Sequence, residues 1–353
     1  MASDAPGPAL AFTFALHWNV PRFESNAGPR WVKCRATLRS VGEALRYGAA
    51  GSRSPAHPSE HAATMTFDRA VASHGPADPV VPLVLDSPHS GCEFPADFDA
   101  NVSEFDLRDG EDCFIDELYM PATERGVGLI AARFPRTYLD PNRHAGDIDL
   151  ELIEGGRWPD EFVPSGKAKL GKALVWRTLD DGRPIYARRL SVDEVRRRIE
   201  RFHAPYHAAL RARIDAIRRR FGVSFHNDCH SMNAVAGTQG EGGAGSARAD
   251  FVLGDRDGTT CEPGFTEFVR ETLEAMGYDV RINDPYKGVE LVRAYSDPRD
   301  GRHSLQVEIN KRLYMDEATR EKHEGFAELQ RNLLRLVEAT IDYAGAAAKR
   351  AHA

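Results

Sequence analysis

Two histidines of this sequence have the surroundings of a catalytic metal site. His89 lies in the polar segment 86–91 and His230 lies in the polar segment 226–232, both with serine and carboxylate neighbours. Two imidazoles and one carboxylate with an open fourth position are the arrangement of a catalytic zinc ion. His203, His207 and His303 lack this setting, and a lone histidine is usually a hydrogen-bonded structural residue. His89 and His230 are therefore the candidate ligands.

Short apolar strands would have to position these residues. Both polar segments, and the later pair Glu308 and Asn310, come at the carboxyl ends of predicted strands. In open α/β sheets, ligands bind outside the carboxyl ends of the strands, so we expect the three clusters to converge on one crevice. The predicted strands are residues 80–85, 128–134, 222–225, 250–253, 279–282 and 304–309.

Helical segments alternate with these strands, which indicates an α/β layered domain. The helices are predicted at residues 112–125, from residue 191 onward, at 263–276 and at 316–344. The Ser191–Glu194 segment reads as a capping box, and Pro205 should kink or divide the helix that follows.

Composition excludes several classes of protein. The 353 residues carry a net charge of −7, which leaves no basic field for nucleic acid. No apolar run approaches the roughly 20 residues that span a bilayer. The five cysteines are scattered and have no C-x-x-C spacing, so neither a disulfide framework nor a thiolate zinc site is indicated. We expect a cytoplasmic protein without nucleic-acid or membrane partners.

The domain prediction is one catalytic domain, residues 79–346, behind an extension. Residues 1–78 are rich in Ala, Pro, Ser, Gly and Arg and are predicted to be disordered or weakly ordered, with Met65 as a possible true start. A transit peptide is the alternative, which the acidic residues of this stretch fit poorly. Residues 144–190 are loop-rich and long enough to form a lid, and the Gly-rich residues 237–246 are predicted to be flexible.

Five segments in this order resemble the N-formylglutamate amidohydrolase (deformylase) family, over about residues 80–339. They are Ser87-Pro88-His89-Ser90-Gly91, Glu111-Asp112 with Asp116-Glu117-Leu118, Asp140-Pro141-Asn142-Arg143, Asp228-Cys229-His230-Ser231, and Glu308-Ile309-Asn310 with Leu313-Tyr314-Met315-Asp316-Glu317. The resemblance implies kinship with zinc carboxypeptidases. It also implies their three-layer, phosphorylase/hydrolase-like sandwich, with a mixed central sheet flanked by helices.

The resemblance also implies roles for individual residues. His89, Asp112 and His230 correspond to ligands of one divalent zinc ion per chain, and Glu308 corresponds to the general base. Arg143 would help zinc to stabilise the tetrahedral oxyanion.

A small anionic N-acyl amino acid is the substrate that the resemblance implies. Asn142 and Arg143 match a pair that holds substrate carboxylate or carbonyl groups. Arg143 and Arg293 are the expected carboxylate anchors, with Lys287 and Tyr295 as further contacts.

One departure leaves the third metal ligand open. Family members often have an aromatic residue directly after the position of Asp112, whereas this sequence has Cys113. Glu111 and Asp116 are therefore rivals for the role. A carboxylate at a helix start is also a routine capping feature.

The expected reaction is hydrolysis of N-formyl-L-glutamate to formate and L-glutamate in histidine degradation. Three alternatives stay open: a related zinc amidohydrolase or carboxypeptidase-like enzyme acting on another N-acyl amino acid, a metal-free binding protein of the same fold, and a serine hydrolase using Ser87 or Ser90. The sequence lacks the G-x-S-x-G elbow that the last would need.

Overall fold

A mixed seven-stranded sheet runs through the computed structural model, which describes residues 70–237 and 243–351. The strands are β1 Val71–His74, β2 Leu83–Ser87, β3 Gly128–Ala132, β4 Ser224–Met232, β5 Phe251–Gly254, β6 Val280–Ile282 and β7 Arg302–Asn310. Their order across the sheet is β1-β3-β2-β4-β7-β5-β6. The pairs β1–β3 and β5–β7 are antiparallel, and the other pairs are parallel.

Helices cover both faces of this sheet. They are α1 Glu104–Leu107, α2 Ile115–Tyr119, α3 Val192–Arg198, α4 Ala204–Phe221, α5 Pro263–Ala275, α6 Glu290–Tyr295 and α7 Gly325–Ala351. A short hairpin, β8 Met315–Asp316 with β9 Glu321–Lys322, precedes α7. Among the described helices, none is long and apolar enough to cross a membrane.

The two faces of the sheet bury two separate hydrophobic clusters. Leu83 and Leu85 of β2 pack in the cluster that contains the buried residues of α2, α5 and α7. Val84, between them, packs in the cluster of α4 and the segment 144–190. Alternate side chains of a strand point to opposite faces, so β2 supplies both cores. The prediction of a mixed sheet between helical layers is confirmed.

The strand β4 is longer than predicted, and this corrects the position of one polar cluster. We expected the strand to end at Phe225, with residues 226–232 in a following turn. Instead β4 runs to Met232 because its backbone pairs with β7 along nine residues, with His230 opposite Glu308. The polar side chains of β4 stay buried between two neighbouring strands, where apolar patterning could not reveal them.

Several helix boundaries also differ from the prediction. The helix predicted at 112–125 divides into α2 and a 3₁₀ helix, Met120–Arg125, with Pro121 at the start of the latter. A π turn, Ile199–His203, separates α3 from α4 just before Pro205. The last helix begins at Gly325 rather than residue 316, because the β8–β9 hairpin occupies the intervening residues.

The domain boundary predicted after residue 78 is too late. Residues Val71–His74 form β1, which pairs with β3 at the edge of the sheet, so ordered structure begins before residue 79. Likewise, α7 continues past residue 346 to Ala351. The described residues all belong to the unit His61–Ala353. The predictions for residues 1–69 and 238–242 lie outside the described residues.

Candidate active site

His89 is placed by a tight turn after β2. The turn passes so close to β3's C-terminal extension that a Cβ on Gly91 would meet the carbonyl carbon of Arg133 at 2.4 Å. Only glycine fits there. The backbone carbonyl of His89 accepts a hydrogen bond from the backbone N–H of Asp112 at 3.0 Å. This bond ties the turn to the segment that leads into α2.

Three buried side chains converge at this point and could hold a metal ion. His89 Nδ1 lies 3.1 Å from His230 Nδ1, and the Asp112 carboxylate lies 3.2 Å from the first nitrogen and 2.9 Å from the second. One ligand atom from each residue falls within 4.8 Å of the others. All three side chains are at least 96% buried. In the described part of the chain this is the group of donors that fits a metal ion.

A second layer of carboxylates holds the two imidazoles. The Asp140 carboxylate accepts from His89 Nε2 at 2.6 Å, and the Asp228 carboxylate lies 2.7 Å from His230 Nε2. A ring that donates from Nε2 presents the lone pair of Nδ1, which is the form that ligates a metal. The two Nδ1 atoms face each other at 3.1 Å beside the Asp112 carboxylate, a spacing that a proton or a metal cation between them would satisfy. The donor set therefore fits a bound divalent cation.

Charges around the site shift the pKa values of these groups. Burial alone would raise the pKa of Asp112, but hydrogen bonds from His230 and His89 hold it well below the usual value. Burial alone would lower the pKa of His230, yet the Asp228 and Asp112 carboxylates raise it well above the usual value. Asp112 is therefore an anion in its folded setting, as a metal ligand must be.

The rivals of Asp112 lie outside this group. Glu111 accepts two hydrogen bonds from Arg108, at 2.6 and 3.0 Å. Asp116 lies in the first turn of α2, where its backbone N–H donates to Ser90 Oγ at 3.2 Å. Of the three carboxylates, the structure brings Asp112 to the histidines. Cys113, at the departure from the family pattern, is buried in the apolar core instead.

Glu308 lies beside His230 because β4 and β7 pair in that register. Its side chain is buried, and its Oε1 accepts a hydrogen bond from Gln306 Nε2 at 2.8 Å. Burial raises the pKa of Glu308 to about 8, with a further rise from Asp112. A buried carboxylate with a raised pKa at the edge of a cleft is suited to take and return a proton.

These residues open onto a cleft of about 780 Å³. Its walls include His89, Asp112, His230 and Glu308, together with seven cationic side chains and two further carboxylates, Asp109 and Asp180. The cations that line the cleft are Arg136, Arg143, Lys167, Lys172, Arg248, Lys287 and Lys311. A cleft with this lining attracts a small anion.

Comparison with known proteins identifies the family. The N-formylglutamate amidohydrolase family matches residues 81–315. The chain belongs to this family.

Curated relatives and solved structures agree with that membership. The N-formylglutamate deformylase of Pseudomonas putida is 30% identical over 241 residues, which is 67% of this chain and 83% of that protein. The Pseudomonas aeruginosa protein of the same name is 29% identical over 242 residues, with the same shares of the two chains. The N-formylglutamate amidohydrolase structure from Ralstonia eutropha JMP134 is 45% identical with a TM-score of 0.73, covering 78% of this chain and 98% of that chain.

The turn that carries the family's Asn-Arg pair lies on the cleft. Asn142 Nδ2 donates to the Asp228 carboxylate at 3.2 Å, and its Oδ1 accepts from the backbone N–H of Leu291 at 2.9 Å. Both ends of this amide are thus held by the protein. The buried Nε of Arg143 has no hydrogen-bond partner in the described chain and lies 3.8 Å from Asp140. Arg143 is therefore better placed than Asn142 to receive a ligand.

The other three residues predicted to contact the substrate do not all lie on this cleft. Lys287 lines the cleft and forms an ion pair with Asp257 at 3.0 Å. Arg293 is half-exposed, pairs with Glu290 at 2.6 Å and is not part of the cleft wall. Tyr295 packs in the core of the α4 face and bonds to His207. Arg293 and Tyr295 therefore do not line this cleft, and their contact with a substrate stays a prediction.

Sequence reasoning missed Arg136, Lys172 and Trp176, all of which line the cleft. Arg136 donates to the Asp140 carboxylate from Nη2 at 2.7 Å, only four residues away in sequence. That spacing, just after β3, was the available signal. Lys172 and Trp176 lie in the loop-rich segment, where local patterning could not indicate their direction. They reach the cleft only through tertiary contacts.

Proposed function

We propose that this chain hydrolyses the N-formyl amide of N-formyl-L-glutamate, releasing formate and L-glutamate. The observation that carries the proposal is the convergence of His89, Asp112 and His230 with the buried Glu308 at one cation-lined cleft. Family membership and the names of the curated relatives support the choice of substrate. The substrate's two carboxylates complement the cations of the cleft.

The proposed cofactor is one zinc ion, held by His89, Asp112 and His230. Two imidazole nitrogens and a carboxylate oxygen are a donor set that zinc favours, and the paired carboxylates Asp140 and Asp228 support the fit. When bound there, zinc supplies Lewis acidity and lowers the pKa of water. The protein contributes a dry, fixed set of donors.

Glu308 is the proposed general base. It would accept a proton from the attacking water and deliver it to the nitrogen of the departing amino acid. Its hydrogen bond from Gln306 at 2.8 Å fixes one oxygen, and the β4–β7 register keeps it beside His230. Because burial raises the pKa of Glu308 to about 8, the carboxylate holds a proton more strongly than an exposed glutamate would.

Arg143 is the proposed group that stabilises the developing oxyanion and the substrate's α-carboxylate. A planar guanidinium can donate two parallel hydrogen bonds to a carboxylate. The backbone carbonyl of Arg143 is fixed by His203 Nε2 at 2.9 Å, and the neighbouring Pro141 carbonyl by His207 Nε2 at 2.8 Å. Burial lowers the pKa of His207 to about 3, so this ring supports the turn as a neutral donor.

The cellular setting is part of the proposal. Four cysteines, Cys92, Cys113, Cys229 and Cys261, are free thiols in the described chain, which is compatible with a reducing cytoplasm. Histidine degradation is the pathway proposed for the substrate. The domain proposal is an N-terminal extension followed by the catalytic domain, with the ordered boundary moved to include β1.

An assay that measures the freed amino acid together with the formate or acetate released tests the reaction. The panel contains N-formyl-L-glutamate, N-formyl-L-glutamine, N-formyl-L-methionine and N-acetyl-L-glutamate, each with and without a chelator. We expect formate from N-formyl-L-glutamate first, and loss of that activity on chelation. Hydrolysis of the acetyl compound alone would favour an amidohydrolase with another acyl specificity. Binding of all four without any product would favour a metal-free binding protein.

A further inference from the structure

We propose that Lys172, stacked on Trp176, binds the side-chain carboxylate of the substrate and makes the enzyme select acidic N-formyl amino acids. The inference rests on the proposed function and extends it to a segment of the chain that the mechanism does not use. Residues 144–190 contribute no metal ligand and no proposed base. They do contribute one wall of the cleft, in which both residues take part.

Local backbone structure brings the two side chains together. Lys172 and Trp176 form an isolated antiparallel bridge, so their side chains point to the same side of a small hairpin. The Lys172 Nζ lies 5.1 Å from the centre of the indole ring. An ammonium at this distance from an indole face is attracted by the ring's quadrupole. The lysine is thereby held against a rigid platform.

Contacts at its tip tie this hairpin to the catalytic groups. The backbone carbonyl of Leu174 accepts from the N–H of Asp140 at 2.7 Å, and Asp140 is the carboxylate that holds His89. The Arg136 guanidinium, which also bonds Asp140, lies 5.1 Å from the Trp176 ring centre. Lys172 therefore lines the same cleft as the candidate metal ligands, on a hairpin that is tied to them through Asp140.

The backbone at Gly110 packs against the Trp176 ring. A Cβ on Gly110 would meet the indole at 2.9 Å, so only glycine lets the ring lie where it does. Trp176 as a whole is 95% buried, and its Nε1 has no hydrogen-bond partner among the described residues. Binding clefts are commonly lined by buried aromatic side chains of this kind, and Trp176 lines this one.

Lys172 and Arg136 are neighbouring positive charges on the cleft wall, which favours binding of an anion there. Burial and the neighbouring Arg136 guanidinium lower the pKa of Lys172 to about 8, because like charges stand together. The carboxylate that pairs with Lys172 is Asp180, which is nearly half-exposed at the rim, whereas the lysine is largely buried. The three N–H donors of an ammonium leave room for a second carboxylate. With the α-carboxylate at Arg143, Lys172 is the group that would meet the distal one.

The test compares two substrates that differ only in that distal charge. Lys172→Met keeps the apolar stem on the indole but removes the donor. For N-formyl-L-glutamate we expect kcat/KM to fall about tenfold to a hundredfold, the effect of one charge-assisted hydrogen bond. For N-formyl-L-glutamine, which lacks the charge, we expect little change. The ratio of kcat/KM for N-formyl-L-glutamate to kcat/KM for N-formyl-L-glutamine should therefore fall by the same factor.

Two control variants separate recognition from a structural role. Lys169→Met alters an exposed lysine of the same segment and should leave the ratio intact. Asp180→Asn breaks the ion pair but not the proposed contact with substrate, so it should not raise KM for N-formyl-L-glutamate. If Asp180→Asn and Lys172→Met lower activity on both substrates alike, Lys172 serves only to hold the loop and the inference is wrong.

A binding measurement makes the result independent of turnover. Titration calorimetry with L-glutamate and with L-glutamine compares the wild-type protein with Lys172→Met. Selective loss of L-glutamate binding would support the inference even if no substrate released formate, an outcome that would overturn only the proposed function. An active wild-type enzyme whose Lys172→Met variant keeps its substrate ratio would overturn the inference alone.

Discussion

His89 and His230 face each other through their Nδ1 atoms at 3.1 Å, while the opposite nitrogen of each ring contacts a buried carboxylate. Two ring nitrogens this close to each other and to the Asp112 carboxylate need a proton or a metal cation between them. Burial removes the water that could separate them. A metal ion in place of that proton would have the Asp112 carboxylate as its third ligand.

Removing one imidazole should abolish stoichiometric metal binding. His89→Ala eliminates a ligand of the buried group, so purified protein should contain far less than one zinc ion per chain by elemental analysis. His74→Gln, on the exposed end of β1, is the matched control and should retain the wild-type content. Wild-type protein that binds no divalent metal would contradict the site itself.

Asp140 holds the His89 ring by its Nε2 atom, so it should affect metal affinity without contacting the metal. Asp140→Asn replaces an acceptor 2.6 Å from His89 Nε2 and should weaken zinc binding by about tenfold to a hundredfold. Competition with a fluorescent chelator measures this directly. Asp300→Asn, at an exposed turn, should have no effect. Unchanged affinity in Asp140→Asn would show that His89 does not depend on this bond.

The proposed base should be separable from the metal site. Glu308→Gln preserves side-chain shape and can still accept from Gln306, but it cannot take a proton. We expect kcat for formate release to fall by about 10² to 10⁴ with zinc content unchanged. Glu321→Gln, on the exposed strand β9, should behave as wild type. Retained turnover in Glu308→Gln would move the base elsewhere.

Arg143 and Arg293 should differ sharply, although the sequence suggested both as carboxylate anchors. Arg143 is buried on the cleft wall, and Lys at this position loses the paired donors of the guanidinium. Arg143→Lys should lower kcat/KM by about tenfold to a hundredfold. Arg293→Lys changes a half-exposed side chain paired with Glu290 and should leave the kinetics unaltered. Equal losses would place Arg293 at the substrate after all.

Acid should weaken the helix cap at the end of the loop-rich segment. Hydrogen bonds from Arg188 lower the pKa of Glu194 to about 2, below the usual 4.5. Because the folded value is the lower one, this contribution is complete above pH 4.5 and is lost as the pH falls toward 2. Glu194→Gln should lower the free energy of unfolding by about 1 kcal/mol at pH 7 and by less near pH 3. Urea unfolding at the two pH values measures the difference, and a constant difference would contradict the assignment.

The sequence by itself was enough to predict the family and many of the residues of the candidate site. The Ser-Pro-His-Ser-Gly turn and the Asn-Arg pair are local motifs, so their order along the chain was enough to predict the fold class and the roles proposed for His89 and Glu308. The capping box at Ser191 was also predictable, because its two reciprocal hydrogen bonds lie within four residues.

Tertiary structure decided what local patterns cannot express. The length of β4 depends on backbone pairing with β7, a strand more than seventy residues away in sequence. The choice among Glu111, Asp112 and Asp116 depends on which carboxylate the turn after β2 can reach. Lys172 and Trp176 line the cleft because a backbone hydrogen bond from Asp140 to Leu174 holds their hairpin there. Each outcome depends on contacts between distant segments, whose geometry is set by the packing of the whole sheet and not by neighbouring residues.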